Sequence, residues 1–157
     1  MNVEHFTLAD FVASATAQAQ HIDNSLPDDL VPNAWSTLAL LEVIRARLCT
    51  IAGHEVPVII SSGYRCAALN QAVGSGPGSD HLRGLAADIK APGFGTPLRL
   101  AQTLAPLVSV LGIGQLIYER PLGVAKAWVH VSTRVPAKAV NRIITITEHD
   151  TMVGVIA

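Results

Sequence analysis

The feature that most constrains this chain is a change of patterning along its length: helical periodicity fills the first third, and short period-two segments dominate the remainder. Over residues 33–52, Trp35, Leu38, Leu41, Ile44, Leu48 and Ile51 recur at steps of three and four, with Glu42, Arg45 and Arg47 on other sides. That spacing predicts an amphipathic helix, ended by Gly53 at the position where a left-handed residue closes a helix. Residues 56–60 predict a short buried strand and residues 66–73 a second short helix. Leu85, Ala87, Ile89 and Ala91 alternate with Ala86, Asp88 and Lys90, so a strand there covers one face and leaves Asp88 on the open one. Residues 115–119 and 127–133 predict two further strands, an antiparallel hairpin joined by a loop holding Pro121 and Gly123, and residues 142–147 a last one. Strands that come after helices without a regular βαβ alternation predict an α+β domain, its antiparallel sheet packed by helices on one face.

The N-terminal part adds a helical stretch over residues 7–20, opened by Thr7 with Asp10 three residues on, as in a capping box. Residues 23–32 carry two prolines and three acids and read as a connecting loop. Thr96 before Pro97 caps another helix, which Pro106 should end near Ala105. A chain of 157 residues fits one domain, so the expectation is a single unit over residues 1–157 with its helical segment 1–32 packed on the core.

Charge and hydropathy exclude several roles. Eleven Lys and Arg against twelve Asp and Glu leave a net charge of -1, without the basic field that nucleic acid or an anionic bilayer requires. The longest apolar run, residues 104–117, is broken by Pro106, Ser109, Gly112, Gly114 and Gln115 and falls short of the ~20 residues that span a bilayer. The first basic residue is Arg45, so no secretory leader is expected and synthesis in the cytoplasm is. Two cysteines, Cys49 and Cys66, have neither zinc-ribbon nor redox-pair spacing and are expected as buried thiols.

Between Val56 and Tyr118 the only charged side chains are Arg65, Asp80, Arg83, Asp88, Lys90 and Arg99. Charges in such apolar surroundings need a partner or a ligand. His81 lies on a loop, separated by six residues from Asp88, and His130 shares the open face of its own strand with Trp128 and Ser132. One carboxylate and two imidazoles on a common face suit a tetrahedral zinc site whose fourth position is left to water, as hydrolysis requires. The same spacing also suits a hydrogen-bonded pair of core histidines. His5, His21, His54 and His149 have no carboxylate at a matching position and read as surface residues.

The string SSGYRCAALNQAVGSGPGSDHLRGLAADI, from Ser61 to Ile89, together with GQLIYE and WVHVS further on, resembles the zinc D-Ala-D-Ala carboxypeptidase family of peptidoglycan metallopeptidases. The likeness is to its small phage and prophage members in particular, and FTLADFVASATAQAQHIDNSLP resembles their leader. The resemblance implies that family's fold, shared with hedgehog signalling domains: an antiparallel sheet with the zinc site on its open face. It implies His81, Asp88 and His130 as zinc ligands, with Ser79 hydrogen-bonding at the start of the metal loop and near substrate. It implies Arg65, of the Ser-Gly-Tyr-Arg motif, as a clamp for a substrate carboxylate, a structural salt bridge being the other use of such an arginine.

Several branches of the family carry an acid three residues before the last histidine, where this chain has Ala127. Glu119 is the candidate general base instead, since it ends the strand paired with that of His130, and Tyr118-Glu119 resembles a Tyr-Glu of the hedgehog domains. A plain surface glutamate is the alternative. Trp128 is expected to wall the cleft or to pack on the sheet. Gly74, Gly76 and Gly78 are not succeeded by the Lys-Ser or Lys-Thr of a P-loop.

The function so implied is zinc-dependent hydrolysis of a peptide bond in the peptidoglycan stem, by a D-Ala-D-Ala carboxypeptidase or an L-Ala-D-Glu endopeptidase. The other reading is a noncatalytic zinc-binding module or virion tail component of the same fold. Expected partners are the stem peptide and, for a virion component, other phage proteins; the free protein is expected as a monomer acting on the cell wall after release.

Overall fold

The computed structural model describes residues 3–157. Five helices, α1 (Leu8–Val12), α2 (Ala15–Ala19), α3 (Val31–Ala52), α4 (Ala67–Ala72) and α5 (Pro97–Leu104), accompany six strands. These are β1 (Ile59–Ser62), β2 (Ala86–Lys90), β3 (Gln115–Arg120), β4 (Trp128–Ser132), β5 (Ile143–Thr147) and β6 (Thr151–Val153), in one sheet of order β1-β2-β4-β3-β5-β6. The α+β expectation holds. The sheet is mixed, however: β5 runs parallel to β3, and every other pairing is antiparallel. Alternation reports which face a residue takes and not which way its strand runs, so the parallel pair was not legible in it.

The capping box at Thr7 is present, but the expected helix over residues 7–20 is two short ones. Ser14, with extended backbone, takes the Ala17 N–H on its hydroxyl and opens α2, an alternative to helix that serine offers and alanine does not. The long helix starts earlier than expected, at Val31, because Pro32 sits in the first turn, where its missing N–H costs nothing. Gly53 closes it at φ 74°. Its buried face is broader than the expected stripe: Thr37 and Leu40 are inside, while Trp35 and Ile51 are exposed.

The expected strand over residues 56–60 is shifted. Val56 and Val58 are buried in the core, but Pro57 has no N–H for a ladder, and pairing begins at Ile59 on an edge strand with a bulge before Ser62. α4 and α5 form with Cys66 and Thr96 as their N-caps. Both cysteines are half-buried rather than buried, and neither is in a disulfide. Each sulfur takes a backbone N–H, Cys66 from Leu69 and Cys49 from Val56.

One sheet face supplies the core. Ala87, Ile89, Leu116, Tyr118, Val129 and Val131 lie there against Leu38, Leu41, Ile44 and Leu48 of α3 and Leu100 and Leu104 of α5, with Phe6 and Phe11 from the N-terminal segment. The opposite face carries Asp88, Glu119, Trp128 and His130. Among the described residues no helix is long and apolar enough to cross a membrane.

Candidate metal centre

Strand register sets the site. In the β2–β4 ladder Asp88 is directly opposite His130, and in the β4–β3 ladder Glu119 is opposite Trp128, which puts Glu119 diagonally across from His130. His81 comes from a 3-10 turn, Asp80–Arg83, capped by the Ser79 hydroxyl, which takes the His81 N–H at 3.4 Å. The turn is tied to α3, where Thr37 Oγ1 donates to the Gly84 carbonyl at 2.8 Å and Asn33 Nδ2 to the Arg83 carbonyl at 3.0 Å. Gly84, at φ 67°, allows the reversal from this turn into β2.

The three side chains named from the sequence meet. His81 Nε2 is 3.2 Å from Asp88 Oδ1, His130 Nδ1 is 3.0 Å from the same oxygen, and the two ring nitrogens are 3.1 Å apart. All three residues are buried. His81 Nδ1 lies 2.6 Å from the Gly63 carbonyl, which can only accept, so the ring proton sits on Nδ1 and Nε2 is left as a lone pair pointing at the other two. A neutral His81 then sets its Nε2 lone pair beside the carboxylate, with His130 Nδ1 within hydrogen-bond distance of both, so three ligand atoms converge on one point. The donor set therefore fits a metal ion, through His81 Nε2, Asp88 and His130 Nδ1, with Gly63 as the outer partner that fixes the tautomer.

Titration reflects the packing. Burial depresses His81 below the ordinary imidazole value and outweighs the pull of Asp88. Burial would depress His130 as well, but the hydrogen bond and charge of Asp88 outweigh it and raise His130 above the ordinary imidazole value. Burial alone would raise Asp88; the imidazoles of His81 and His130 outweigh it and hold the carboxyl below the usual carboxylate range. Glu119 is pushed up to about 7, first by burial and then by the Asp88 charge, with His130, Arg65 and Trp128 opposing. Its Oε1 is 3.9 Å from His130 Nδ1, and it is no plain surface glutamate.

A cavity of about 970 Å³ opens over the centre, and Ser79, Arg65, Glu119 and Trp128 all line it, as do the loops at Gly74–Gly78 and Pro121–Leu122. Arg65 is engaged inside the protein: its Nη2 meets Asp88 Oδ2 at 2.5 Å and its Nε donates to Ser62 Oγ at 2.8 Å. Ala127 is buried in the core cluster, one residue before β4 begins.

Two features had no sequence signal assigned. Asp80, buried, accepts from Ser132 Oγ at 2.8 Å and from Arg134 Nε at 2.5 Å, joining the His81 turn to the end of β4. Asn24, also buried, donates to the carbonyls of Val12 and Tyr64 and accepts the Cys66 N–H, clamping the Ser-Gly-Tyr-Arg segment to the N-terminal helices. The isolation of Asp80 in a charge-poor stretch was the one available hint. His5 lies at the surface as expected, and its Nδ1 is 2.9 Å from Glu42 Oε2.

Sheet, cleft and donor set together define an α+β protein with a His-Asp-His group fit for a metal ion at the floor of a cleft. The family model described as Peptidase M15 matches residues 4–132. The chain belongs to the peptidase M15 family of metal-dependent peptidases, the family that the motif strings resemble. Among curated proteins none matches the chain.

Proposed function

We propose that the protein is a zinc peptidase that hydrolyses a peptide bond in the peptidoglycan stem, as a D-Ala-D-Ala carboxypeptidase or an L-Ala-D-Glu endopeptidase of phage-type origin. The observation that carries this reading is the convergence of His81 Nε2, Asp88 and His130 Nδ1 beside a half-shielded carboxylate, Glu119, in a family of metallopeptidases. Two nitrogens and one oxygen are a donor set that suits zinc with one position open. Zinc bound there supplies Lewis-acid polarisation of the scissile carbonyl and lowers the pKa of water.

The chain's own residues do the rest. Glu119 accepts the proton of the attacking water and returns it to the leaving amine; a carboxylate whose pKa lies near 7 is matched to both transfers. Trp128 walls the cleft, Ser79 holds the metal loop and borders the substrate, and Arg65 keeps Asp88 oriented from the side opposite the histidines. A substrate carboxylate would have to draw Arg65 away from Asp88 to use it as a clamp. Residues 1–157 work as one peptidase domain, made in the cytoplasm, with the stem peptide as partner and other virion proteins added if it travels in a particle.

The second reading, a noncatalytic zinc module, is favoured by one observation, the absence of an acid at Ala127. The position of Glu119 favours catalysis. The test is incubation of the zinc-loaded protein with a synthetic stem pentapeptide, with and without chelator. Chelator-sensitive cleavage is expected; zinc bound without cleavage of any stem peptide would favour the module.

A further inference from the structure

The cavity has a second guanidinium, and its setting differs from that of Arg65. Arg65 has 12% of its side chain exposed and both ends occupied by Asp88 and Ser62, whereas Arg134, which lines the same cavity, has 42% exposed. Among the described residues only one of its five N–H donors has a partner, the Nε–H given to Asp80 Oδ1 at 2.5 Å. The Nη groups remain. Asp80 in turn is buried and held by Ser132, so the anchor for the guanidinium is itself fixed.

The backbone at this point is pinned as well. Arg134 N donates to Ser132 Oγ at 3.1 Å, and Thr133 N donates to the Leu85 carbonyl at 2.9 Å. Gly114 packs so closely that a Cβ there would stand 2.5 Å from the Arg134 carbonyl carbon and oxygen. An arginine held by its Nε on a buried carboxylate, on an immobilised backbone, part-exposed and lining a cavity is preorganised for a planar anion. The ion pair with Asp80 orients the fork rather than consuming it.

We propose that Arg134 is the carboxylate-binding residue of the cleft: it takes one free carboxylate of the peptide substrate on its Nη groups, while Arg65 serves the metal ligand Asp88. This rests on the stem-peptide reading above, whose substrate carries a carboxylate on its glutamate and another at its C-terminus. Two charge-assisted N–H···O bonds to one such group are expected to contribute about 10-fold to 100-fold in affinity.

The experiment is calorimetric binding to zinc-loaded, Glu119→Gln protein, so that ligand is not consumed. The probes are a stem pentapeptide and two analogues, each with one of the two carboxylates converted to a carboxamide. In the Arg134-containing protein one amidation should weaken binding by about 10-fold or more, and adding Arg134→Gln should weaken the parent peptide equally and abolish that discrimination. Arg83→Gln, which removes the other cation near Asp80, should leave discrimination intact. Arg134→Lys keeps the charge on Asp80 and loses the fork, so it should fold and zinc-load normally yet discriminate several-fold less; it serves if the Gln variant does not fold. Discrimination that survives in both Arg134 variants, or that is absent from the Arg134-containing protein, overturns the proposal and leaves the peptidase reading standing. Failure of that protein to bind any of the peptides overturns the stem-peptide reading, and this proposal with it.

Discussion

His81 Nε2 and His130 Nδ1 stand 3.1 Å apart, brought together from a turn and a strand separated by 49 residues, with the far nitrogen of His81 held on the Gly63 carbonyl. With the Asp88 carboxylate oxygen they make a set of metal ligands that the folded chain assembles and the unfolded chain does not. Metal binding should therefore add directly to folding stability. His130→Ala is expected to lose metal affinity by at least about 100-fold and to abolish nearly all of the metal-dependent stabilisation, about 2.7 kcal/mol at a metal concentration 100 times Kd for the parent protein, and with it the rise in Tm. Scanning calorimetry with and without zinc checks this, and an undiminished zinc-induced rise in the variant would contradict the ligand set.

Glu119 touches the centre without joining it as a ligand in the trio. Glu119→Gln keeps its shape and removes the proton acceptor, so zinc content should be unchanged while kcat falls by about 100-fold to 10,000-fold. Metal analysis beside turnover on a stem peptide separates the two effects. An unchanged rate would remove Glu119 from the mechanism.

The raised pKa of Glu119 also has a signature in metal-free protein. The ordinary value is 4.5 and the folded value about 7, so the unfolded chain ionises first as pH rises. Below about pH 4.5 the group is protonated in both states and opposes nothing; from there to about pH 7 stability falls, and above that its contribution is constant. The size should be on the order of 1–3 kcal/mol. Glu119→Gln should flatten that part of the profile in chelated protein, as urea denaturation at a series of pH values would show.

Gly63 provides a further test. A Cβ there would overlap the Phe11 carbonyl oxygen, which already takes the Tyr64 N–H at 2.8 Å, so the segment cannot simply move away. Gly63→Ala should cost on the order of 2–4 kcal/mol. Because the Gly63 carbonyl fixes the His81 tautomer, the variant should also bind zinc about 10-fold to 100-fold more weakly. Normal zinc affinity in a destabilised variant would show that the carbonyl is not needed to set the ring.

Much of this arrangement was legible in the sequence because it depends on local signals. Alternation placed Asp88, Glu119, Trp128 and His130 on open strand faces, and the Thr7, Thr96 and Gly53 helix ends obey cap chemistry. What escaped was set by contacts distant in sequence. The parallel β3–β5 pairing leaves no mark in alternation, and β6 is three residues long, its Met152 opposite Thr145. The contact of Arg65 with Asp88 is one of the two uses that the motif allowed, and it depends on the register of β1 against β2, which sets Ser62 opposite Asp88. Arg134 lies beyond the motif strings, and its link to Asp80 spans 54 residues.

In the proposed function His81, Asp88, His130 and Glu119 form a hydrolytic metal centre for peptidoglycan stems. Mass spectrometry of purified muropeptides after incubation with zinc-loaded protein, chelated protein and the Glu119→Gln variant tests it most directly. One new product mass is expected in the first sample alone, corresponding to loss of a terminal alanine or to a cut between L-Ala and D-Glu. The same products in all three samples, or none in the first while zinc is bound, would contradict it.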